Sequence, residues 1–168
     1  MGRNVYIFEM EEKLRLFDLA RHQISKYPDL NMFAHKLNGK WSYIKTADFL
    51  EKVDNLSKGL IELGVKPNEK VGLIAGSSIE WHMMDFAIQQ IGAVVVAIYP
   101  NITDADYQYI FNDAEIRVCI VSNKGLFDRL MNLTTSIYTL KYIFCISDQE
   151  STRSWNELND LGGNCPEE

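Results

Sequence analysis

A short Gly-Ser turn, Ala75-Gly76-Ser77-Ser78, lies between a predicted strand and a predicted helix, where proteins often bind phosphate. Common phosphate loops follow Gly-x-Gly-x-x-Gly or end in Gly-Lys-Ser/Thr, and the turn matches neither pattern. Glu80 falls in the first turn of the predicted helix, where its carboxylate would repel a bound anion. We therefore interpret the turn as a helix start capped by Ser77 rather than as a nucleotide site.

Two aromatic residues, Trp81 and Tyr99, are the candidates for a substrate pocket. Large aromatic side chains often line apolar pockets, and Tyr99 comes at the carboxyl end of an apolar run, where open α/β sheets bind ligands. The competing interpretation is structural, because Trp81 lies on the apolar stripe of a helix and Tyr99 leads into an ordinary turn at Pro100. The sequence favours the structural interpretation for both residues, and a pocket role remains the alternative.

Metal binding is not predicted from the histidines and cysteines. The three histidines, His22, His35 and His82, share no ligand spacing, and the three cysteines include no Cys-x-x-Cys pair. An odd number of widely spaced cysteines is typical of reduced thiols. Cys119 and Cys145 lie within apolar strand patterns and are predicted to be small core residues.

The composition excludes several function classes. A net charge of −6 and a pI near 5.1, with no basic stripe, argue against a nucleic-acid partner. The longest apolar stretch, residues 91–100, is about half of what a membrane-spanning helix needs, so no transmembrane segment is predicted. The first residues lack the sustained apolar core of a signal peptide, and a cytoplasmic protein is expected.

From residue 70 to residue 122, strand patterns and helix patterns alternate without a break. The strand candidates are residues 70–75, 93–99 and 116–121, and a helical stripe closed by Gly92 separates the first two. Residues 93–99 are apolar at every position, which is typical of a parallel strand buried on both faces.

Local signals also place the helix boundaries and one tight turn. Thr46 is expected to cap a helix that Gly64 ends, and Thr103 with Asp106 forms a capping-box pattern for a later one. The dipeptide Asn38-Gly39 between two apolar runs predicts a hairpin. Further elements are expected at residues 11–27 (helix), 123–133 (helix), 141–147 (strand) and 154–161 (helix).

Together these patterns predict an α/β fold, a mainly parallel sheet flanked by helices with a small antiparallel hairpin at the edge. We expect residues 1–168 to form a single domain. Within it, residues 1–45 form a leading helix and hairpin, residues 46–147 the parallel α/β core, and residues 148–168 a linker with a short terminal helix.

The residues of the central stretch resemble the amino-terminal part of the AMP-forming acyl-CoA synthetases, a branch of the adenylate-forming superfamily. The resemblance is carried by Gly64-Val65-Lys66-Pro67, by Glu80-Trp81, by Ile91-Gly92-Ala93-Val94 and by Tyr99-Pro100-Asn101-Ile102-Thr103. Tyr-Pro followed by a threonine cap is most similar to the long-chain fatty acid–CoA ligases. Members of this family are several times longer, so we interpret the chain as an amino-terminal fragment.

The resemblance implies a parent enzyme that converts fatty acid, ATP and CoA into acyl-CoA, AMP and pyrophosphate through an acyl-adenylate, with Mg as cofactor. In the family, the phosphate loop, the magnesium carboxylate, the ribose-binding Asp and the catalytic Lys all follow the region that this chain resembles. No catalytic, cofactor-binding or metal-binding residue is therefore assigned, and this chain alone is expected to be inactive, with no cofactor of its own. Self-association through surfaces left uncovered is expected.

The alternative hypothesis is a free-standing α/β binding module with a small-molecule or protein partner, because doubly wound sheets host many functions.

Overall fold

The computed structural model describes residues 15–37 and 39–165, apart from the side chain of Leu37. Helices and strands alternate through most of this length. In chain order they are α1 (Asp18–Lys26), β1 (Asn31–Leu37), β2 (Lys40–Lys45), α2 (Thr46–Glu62), β3 (Lys70–Ile74), α3 (Ile79–Gln90), β4 (Val94–Ala97), α4 (Asp104–Asp113), β5 (Val118–Val121), α5 (Lys124–Leu133), β6 (Tyr142–Cys145) and α6 (Asn156–Gly163). The first four residues of the helix predicted over residues 11–27 lie outside the described part of the chain.

Strands β3 to β6 form a four-stranded sheet in the order β4-β3-β5-β6, with every neighbouring pair parallel. Strands β1 and β2 form a separate antiparallel hairpin in which Leu37 pairs with Lys40, and Gly39 lies in the turn between them. The other residue of the predicted turn, Asn38, lies outside the described part of the chain. Gly39 has a φ of +81°, a value that a turn of this kind requires and that glycine adopts readily. The predicted fold class, including the hairpin, is confirmed.

The sheet is the middle layer of three. Alternate residues of β5 point to opposite faces, since Val118 and Ile120 pack with α2 and α3, whereas Cys119 and Val121 pack with α4 and α5. All four residues of β5 are buried. Helices α1 and α6 join the first of these layers. The predicted burial of Cys119 and Cys145 is confirmed, and all three cysteines are free thiols.

The order of the strands overturns one expectation about burial. The apolar run at residues 93–99 was expected to form a strand buried on both faces, but β4 lies at the edge of the sheet with Val94 and Ala97 exposed. Such a run suits an inner strand, and here β3 is its only neighbour among the described residues. The most buried strand is instead β5, which pairs on both sides.

Two of the three predicted helix caps need correction. Thr103 and Asp106 make the capping box as predicted. Thr46, however, is the first helical residue of α2, and its Oγ1 donates to the Leu30 carbonyl at 3.1 Å, so it holds the hairpin region to α2 instead of capping it. At α3 the capping side chain is Ser78, which accepts from the Trp81 N–H at 3.2 Å, rather than Ser77.

Helices α2, α3 and α4 end in the same way. In each, the chain turns through a left-handed residue, Gly64, Gly92 or Glu115, with φ of +87°, +76° and +55°. The next N–H bonds back five residues, for example Val65 N–H to Leu60 O at 2.9 Å. These paired bonds make Schellman motifs, and each motif directs the chain from the helix into the strand segment that follows.

Candidate functional site

A cavity of about 320 Å³ opens at the carboxyl ends of β3 and β4. This is the end of a parallel α/β sheet at which ligands usually bind. Its lining comes from the loop after β3, the first turn of α3 and the end of β4, namely Ala75, Ser77, Trp81, His82, Ala97, Ile98 and Tyr99. The structure thus brings the two predicted pocket residues, Trp81 and Tyr99, together in one cavity.

The start of α3 positions the residues on one side of this cavity. Ser78 has extended backbone and caps the helix, so Ser77 is left to line the cavity. Glu80 lies in the first turn, as predicted from the sequence, and places a carboxylate at the positive end of the helix. The amino terminus of α3 therefore already has a hydrogen-bond acceptor, the Ser78 side chain, and a negative charge, the Glu80 carboxylate.

Trp81 is half-buried and belongs to an aromatic row. Its ring meets His82 edge-on at 5.2 Å between centroids, and His82 stacks on Phe33 of β1 at 5.2 Å. Phe33 in turn lies 5.2 Å from Phe49 in the core. Because the row runs from the core to the cavity, Trp81 packs against the core and also lines the cavity. A substrate-binding role for Trp81 stays a prediction.

Tyr99 stands on the opposite side, with 78% of its surface exposed. Its carbonyl accepts from the Tyr107 hydroxyl at 3.3 Å, and burial raises the pKa of that hydroxyl, keeping it a donor. Arg129 of α5 fixes the following loop through Ile102 O at 2.7 Å and an ion pair with Asp104. The backbone of this loop is therefore held in place while the Tyr99 ring remains free to contact a ligand.

The cavity suits an apolar ligand better than a phosphate. Among the described residues that line it, the polar side-chain groups are the Ser77 hydroxyl, the His82 imidazole, the Tyr99 phenol and the Trp81 indole N–H, and none of these residues is Lys, Arg, Asp or Glu. Phosphate recognition usually needs cations or several converging N–H groups. The residues present fit an apolar segment, and they do not fit magnesium-ATP.

A second, larger cavity of about 450 Å³ lies at the amino ends of β3 and β5, and the sequence did not suggest it. Its charged lining residues are of both signs, namely Glu69, Lys70, Glu115, Arg117 and Lys141. Arg117 and Glu69 form an ion pair at 2.8 Å across it. Internal pairing and a position at the amino ends of the strands make this cavity a weaker candidate for a ligand site than the first.

Within residues 15–37 and 39–165, no group of three or more His, Cys, Asp or Glu side chains is placed to hold a metal ion. Cys119 is fully buried, and burial raises the pKa of its thiol, so it is not a nucleophile at neutral pH. None of the helices in the described part of the chain is long and apolar enough to cross a membrane.

Comparison with known proteins assigns a family to this arrangement. The model of the family described as AMP-binding enzyme matches residues 20–163, well over half of the chain. The chain belongs to this family. The predicted superfamily is thereby confirmed.

The curated relatives are acyl-CoA ligases. Fatty acyl-CoA synthetase B of Dictyostelium discoideum is 26% identical over 164 residues, covering 94% of this chain and 24% of that protein. A long-chain fatty acid–CoA ligase of Xenopus laevis is 23% identical over 157 residues, covering 90% of this chain and 21% of that protein. The chain therefore spans about a quarter or less of the length of these relatives.

Solved structures share the fold of this AMP-binding family member. A long-chain fatty acid–CoA ligase from Archaeoglobus fulgidus superposes with a TM-score of 0.77 at 20% identity, over 90% of this chain and 30% of that one. The adenylation and carrier didomain of a carboxylic acid reductase from Segniliparus rugosus reaches 0.80 at 15% identity, over 94% of this chain and 28% of that one.

Proposed function

We propose that this chain is the amino-terminal part of an AMP-forming long-chain fatty acid–CoA ligase, called here the parent ligase. The observation that carries the proposal is the family match over residues 20–163, together with relatives that include long-chain fatty acid–CoA ligases. We propose residues 1–168 as one structural unit of that enzyme, with the boundaries at residues 45 and 147 expected from the sequence, and a cytoplasmic location.

The reaction proposed for the parent ligase has two steps. The fatty acid carboxylate attacks the α-phosphorus of ATP, which forms a fatty acyl-adenylate and releases pyrophosphate. The thiol of CoA then attacks the acyl carbonyl, which forms the thioester and releases AMP. Fatty acid, ATP and CoA are the proposed substrates and Mg²⁺ the proposed cofactor, which would neutralise phosphate charge.

The described residues do not supply the groups that these steps require. The start of α3 is occupied by Ser78 and Glu80, and the cavity at the end of β4 has no cation to hold a phosphate. We therefore propose that the chain contributes scaffold and one wall of a pocket, and that it does not catalyse either step when it is alone.

For the pocket we propose that Trp81 and Tyr99 contact the acyl chain of the fatty acid. Support comes from their shared cavity at the carboxyl ends of the strands and from its lack of charged lining residues. A volume of about 320 Å³ would hold part of a long acyl chain, so the remaining length would be bound by other parts of the parent ligase.

The coding frame beyond Glu168 tests the proposal directly. We expect it to continue into a Ser/Thr/Gly-rich loop with a Lys and, far downstream, a second Lys-bearing domain. The full-length product should release pyrophosphate with a long-chain fatty acid and ATP, whereas residues 1–168 should not, and should bind magnesium-ATP weakly or not at all. A stop codon after Glu168, or tight magnesium-ATP binding by this chain alone, would contradict the proposal and favour a free-standing binding module.

Substitutions in the parent ligase test the pocket. We expect Trp81→Ala and Tyr99→Ala to raise KM for the fatty acid by about tenfold, because each variant loses apolar contact with the acyl chain worth about 1.5 kcal/mol. The KM for ATP should stay the same, because the nucleotide groups lie elsewhere. Tyr138→Ala is the matched control, as Tyr138 is equally exposed but lines the cavity at the opposite end of the sheet. An equal change in all three variants would refute the assignment.

We also propose that residues 1–168 self-associate when they are separated from the rest of the parent ligase. The relatives are at least about four times longer, so we expect some surfaces that the rest of the parent ligase would cover to be exposed when residues 1–168 are alone.

A further inference from the structure

The outer edge of β4 offers unpaired backbone groups. On its inner side, Val94 N–H donates to Glu69 O at 2.8 Å and Ile98 N–H donates to Leu73 O at 3.0 Å. In a parallel strand the N–H and the C=O of one residue point to the same side, and successive residues alternate between the two sides. Because Val94 and Ile98 point toward β3, the backbone groups of Val95 and Ala97 point away from it. No strand within residues 15–37 and 39–165 pairs with them.

The side chains along this edge do nothing to discourage pairing. Residues 91–100 include no charged residue, and Val94 is 46% exposed. Natural edge strands usually carry a Lys, a Pro or a bulge that prevents another strand from adding. The β4 edge has none of these within its four residues.

The opposite edge of the same sheet is protected. Beyond β6, Ser154 forms a bridge with Cys145, with Cys145 N–H donating to Arg153 O at 2.7 Å and Trp155 N–H donating to Cys145 O at 2.9 Å. The Arg153 guanidinium also lies 4.5 Å from the centre of the Phe144 ring. The contrast indicates that the bare edge is specific to β4 and is not a general property of this sheet.

A second copy of the chain fits this edge. Running antiparallel about a two-fold axis at Val96, β4 of each copy would place Val95 opposite Ala97 of the other, which pairs all the outward backbone groups of both residues. The net charge of −6 opposes random association, but the edge itself is uncharged and adds no repulsion. Pairing with a second copy would therefore give every outward N–H and C=O of Val95 and Ala97 a hydrogen-bond partner.

We propose that residues 1–168 dimerise through β4, edge to edge and antiparallel, to form one continuous eight-stranded sheet with Val96 on the two-fold axis. The inference rests on the proposed function in one respect, namely that the additional length of the relatives is absent when this chain is studied alone. It names the surface for the proposed self-association.

Sedimentation of the purified chain over a dilution series tests the dimer. We expect the apparent mass to double on concentration. Ala97→Pro removes an outward N–H that makes no bond to β3, and Val94→Lys adds a charge at the edge, so each should weaken the dimer by about tenfold or more without unfolding the monomer. Ile61→Lys is the control, because Ile61 is an exposed apolar residue that lies on α2 and not at the β4 edge. The Ile61→Lys protein should still form the dimer.

Cross-linking tests the register. In a Cys165→Ser background, Val96→Cys should form an intermolecular disulfide on mild oxidation, because the two copies of residue 96 face each other. Val94→Cys should not, since the register places the two copies of residue 94 about 13 Å apart, beyond the reach of a disulfide. Circular dichroism of each variant checks that the fold is kept.

Several outcomes would overturn the proposal. These are a wild-type chain that stays monomeric, a dimer that survives both β4 variants, and equal cross-linking at positions 94 and 96. A monomer whose Val95 and Ala97 amides are already protected from hydrogen exchange would mean that another segment of the chain covers the edge. None of these readouts involves ligase activity, so failure here and failure of the proposed function are separable.

Discussion

At the residue scale, the helix ends of this protein depend on individual side chains. The capping box of α4 is the most complete case, because Thr103 Oγ1 accepts from the Asp106 N–H at 3.2 Å while Asp106 Oδ2 accepts from the Thr103 N–H at 3.1 Å and from its hydroxyl. The hydrogen bonds donated by the Thr103 hydroxyl, and then by its N–H, lower the pKa of the Asp106 carboxyl. The stability of the helix start is therefore linked to pH.

We expect Asp106→Asn to destabilise the protein at neutral pH and to lose this effect in acid. A carboxyl whose pKa is lower in the folded protein stabilises the fold above the ordinary pKa of Asp, and that contribution disappears as the pH falls below about 4 through the lowered value. Urea unfolding of both proteins at neutral pH and at about pH 3 measures the difference. Asp113→Asn, in the last turn of the same helix, is the control and should not destabilise. A difference in unfolding free energy between Asp106→Asn and the wild type that is the same at both pH values would contradict this link between stability and pH.

Glu115 occupies a position that the other two helix ends give to glycine. Its φ of +55° is a left-handed conformation that costs an L residue about 1–2 kcal/mol. We expect Glu115→Gly to stabilise the protein by about 0.5–1 kcal/mol after the greater freedom of glycine in the unfolded chain is subtracted.

Gly64→Ala is the mirror experiment, because a methyl group there would meet no atom within 4 Å and only the backbone conformation is penalised. It should destabilise by about 1 kcal/mol. Thermal unfolding of both variants measures the two effects. A Glu115→Gly protein that is less stable than the wild type would mean that the Glu115 side chain makes a stabilising contact.

At the element scale, α2 and α6 cross at two glycines. A methyl group on Gly59 would lie 1.9 Å from Leu158 O, and one on Gly162 would lie 1.8 Å from Asn55 O. Both clashes are with backbone, which cannot turn aside as a flexible side chain can. The helices approach this closely because each glycine faces the backbone of the other helix.

We expect Gly59→Ala and Gly162→Ala each to destabilise the protein by at least about 2 kcal/mol, in the upper part of the range for overpacked cores. Gly163→Ala is the matched control, because its methyl group would meet Asn55 at an ordinary 3.8 Å. That variant should stay within about 0.5 kcal/mol of the wild type. Urea midpoints measure all three. Equal midpoints for Gly162→Ala and Gly163→Ala would mean that the two helices pack less closely than described.

At the scale of the whole molecule, the two edges of the sheet differ. The β6 edge is covered by the segment that leads into α6, whereas the β4 edge carries outward N–H and C=O groups and only apolar side chains. Within residues 15–37 and 39–165 the sheet is therefore protected on one side only. This asymmetry accords with a chain that spans a quarter or less of its curated relatives.

Much of the architecture could be predicted from the sequence because it depends on neighbouring residues. Gly64 and Gly92 end helices through their own φ angles, and Gly39 allows the hairpin turn for the same reason. The alternation of apolar runs with helical stripes predicted the parallel sheet, and the family resemblance followed from residues within the same stretch. These signals are local, so no tertiary contact is needed to interpret them.

Only the tertiary structure decided which of these elements lie side by side. An apolar run such as Val94–Ala97 predicts a strand but not its place in the order β4-β3-β5-β6, and that order leaves it at an edge. In the same way, Trp81 and Tyr99 share a cavity only because β3 and β4 are neighbours. The sequence alone determined the types and order of the elements, the glycine helix ends and the family resemblance, because those depend on local periodicity and backbone angles. It did not determine the starts of α2 and α3, where the predicted caps Thr46 and Ser77 were wrong. Edges, cavities and close helix crossings depend on residues far apart in the chain, and only the fold brings these together.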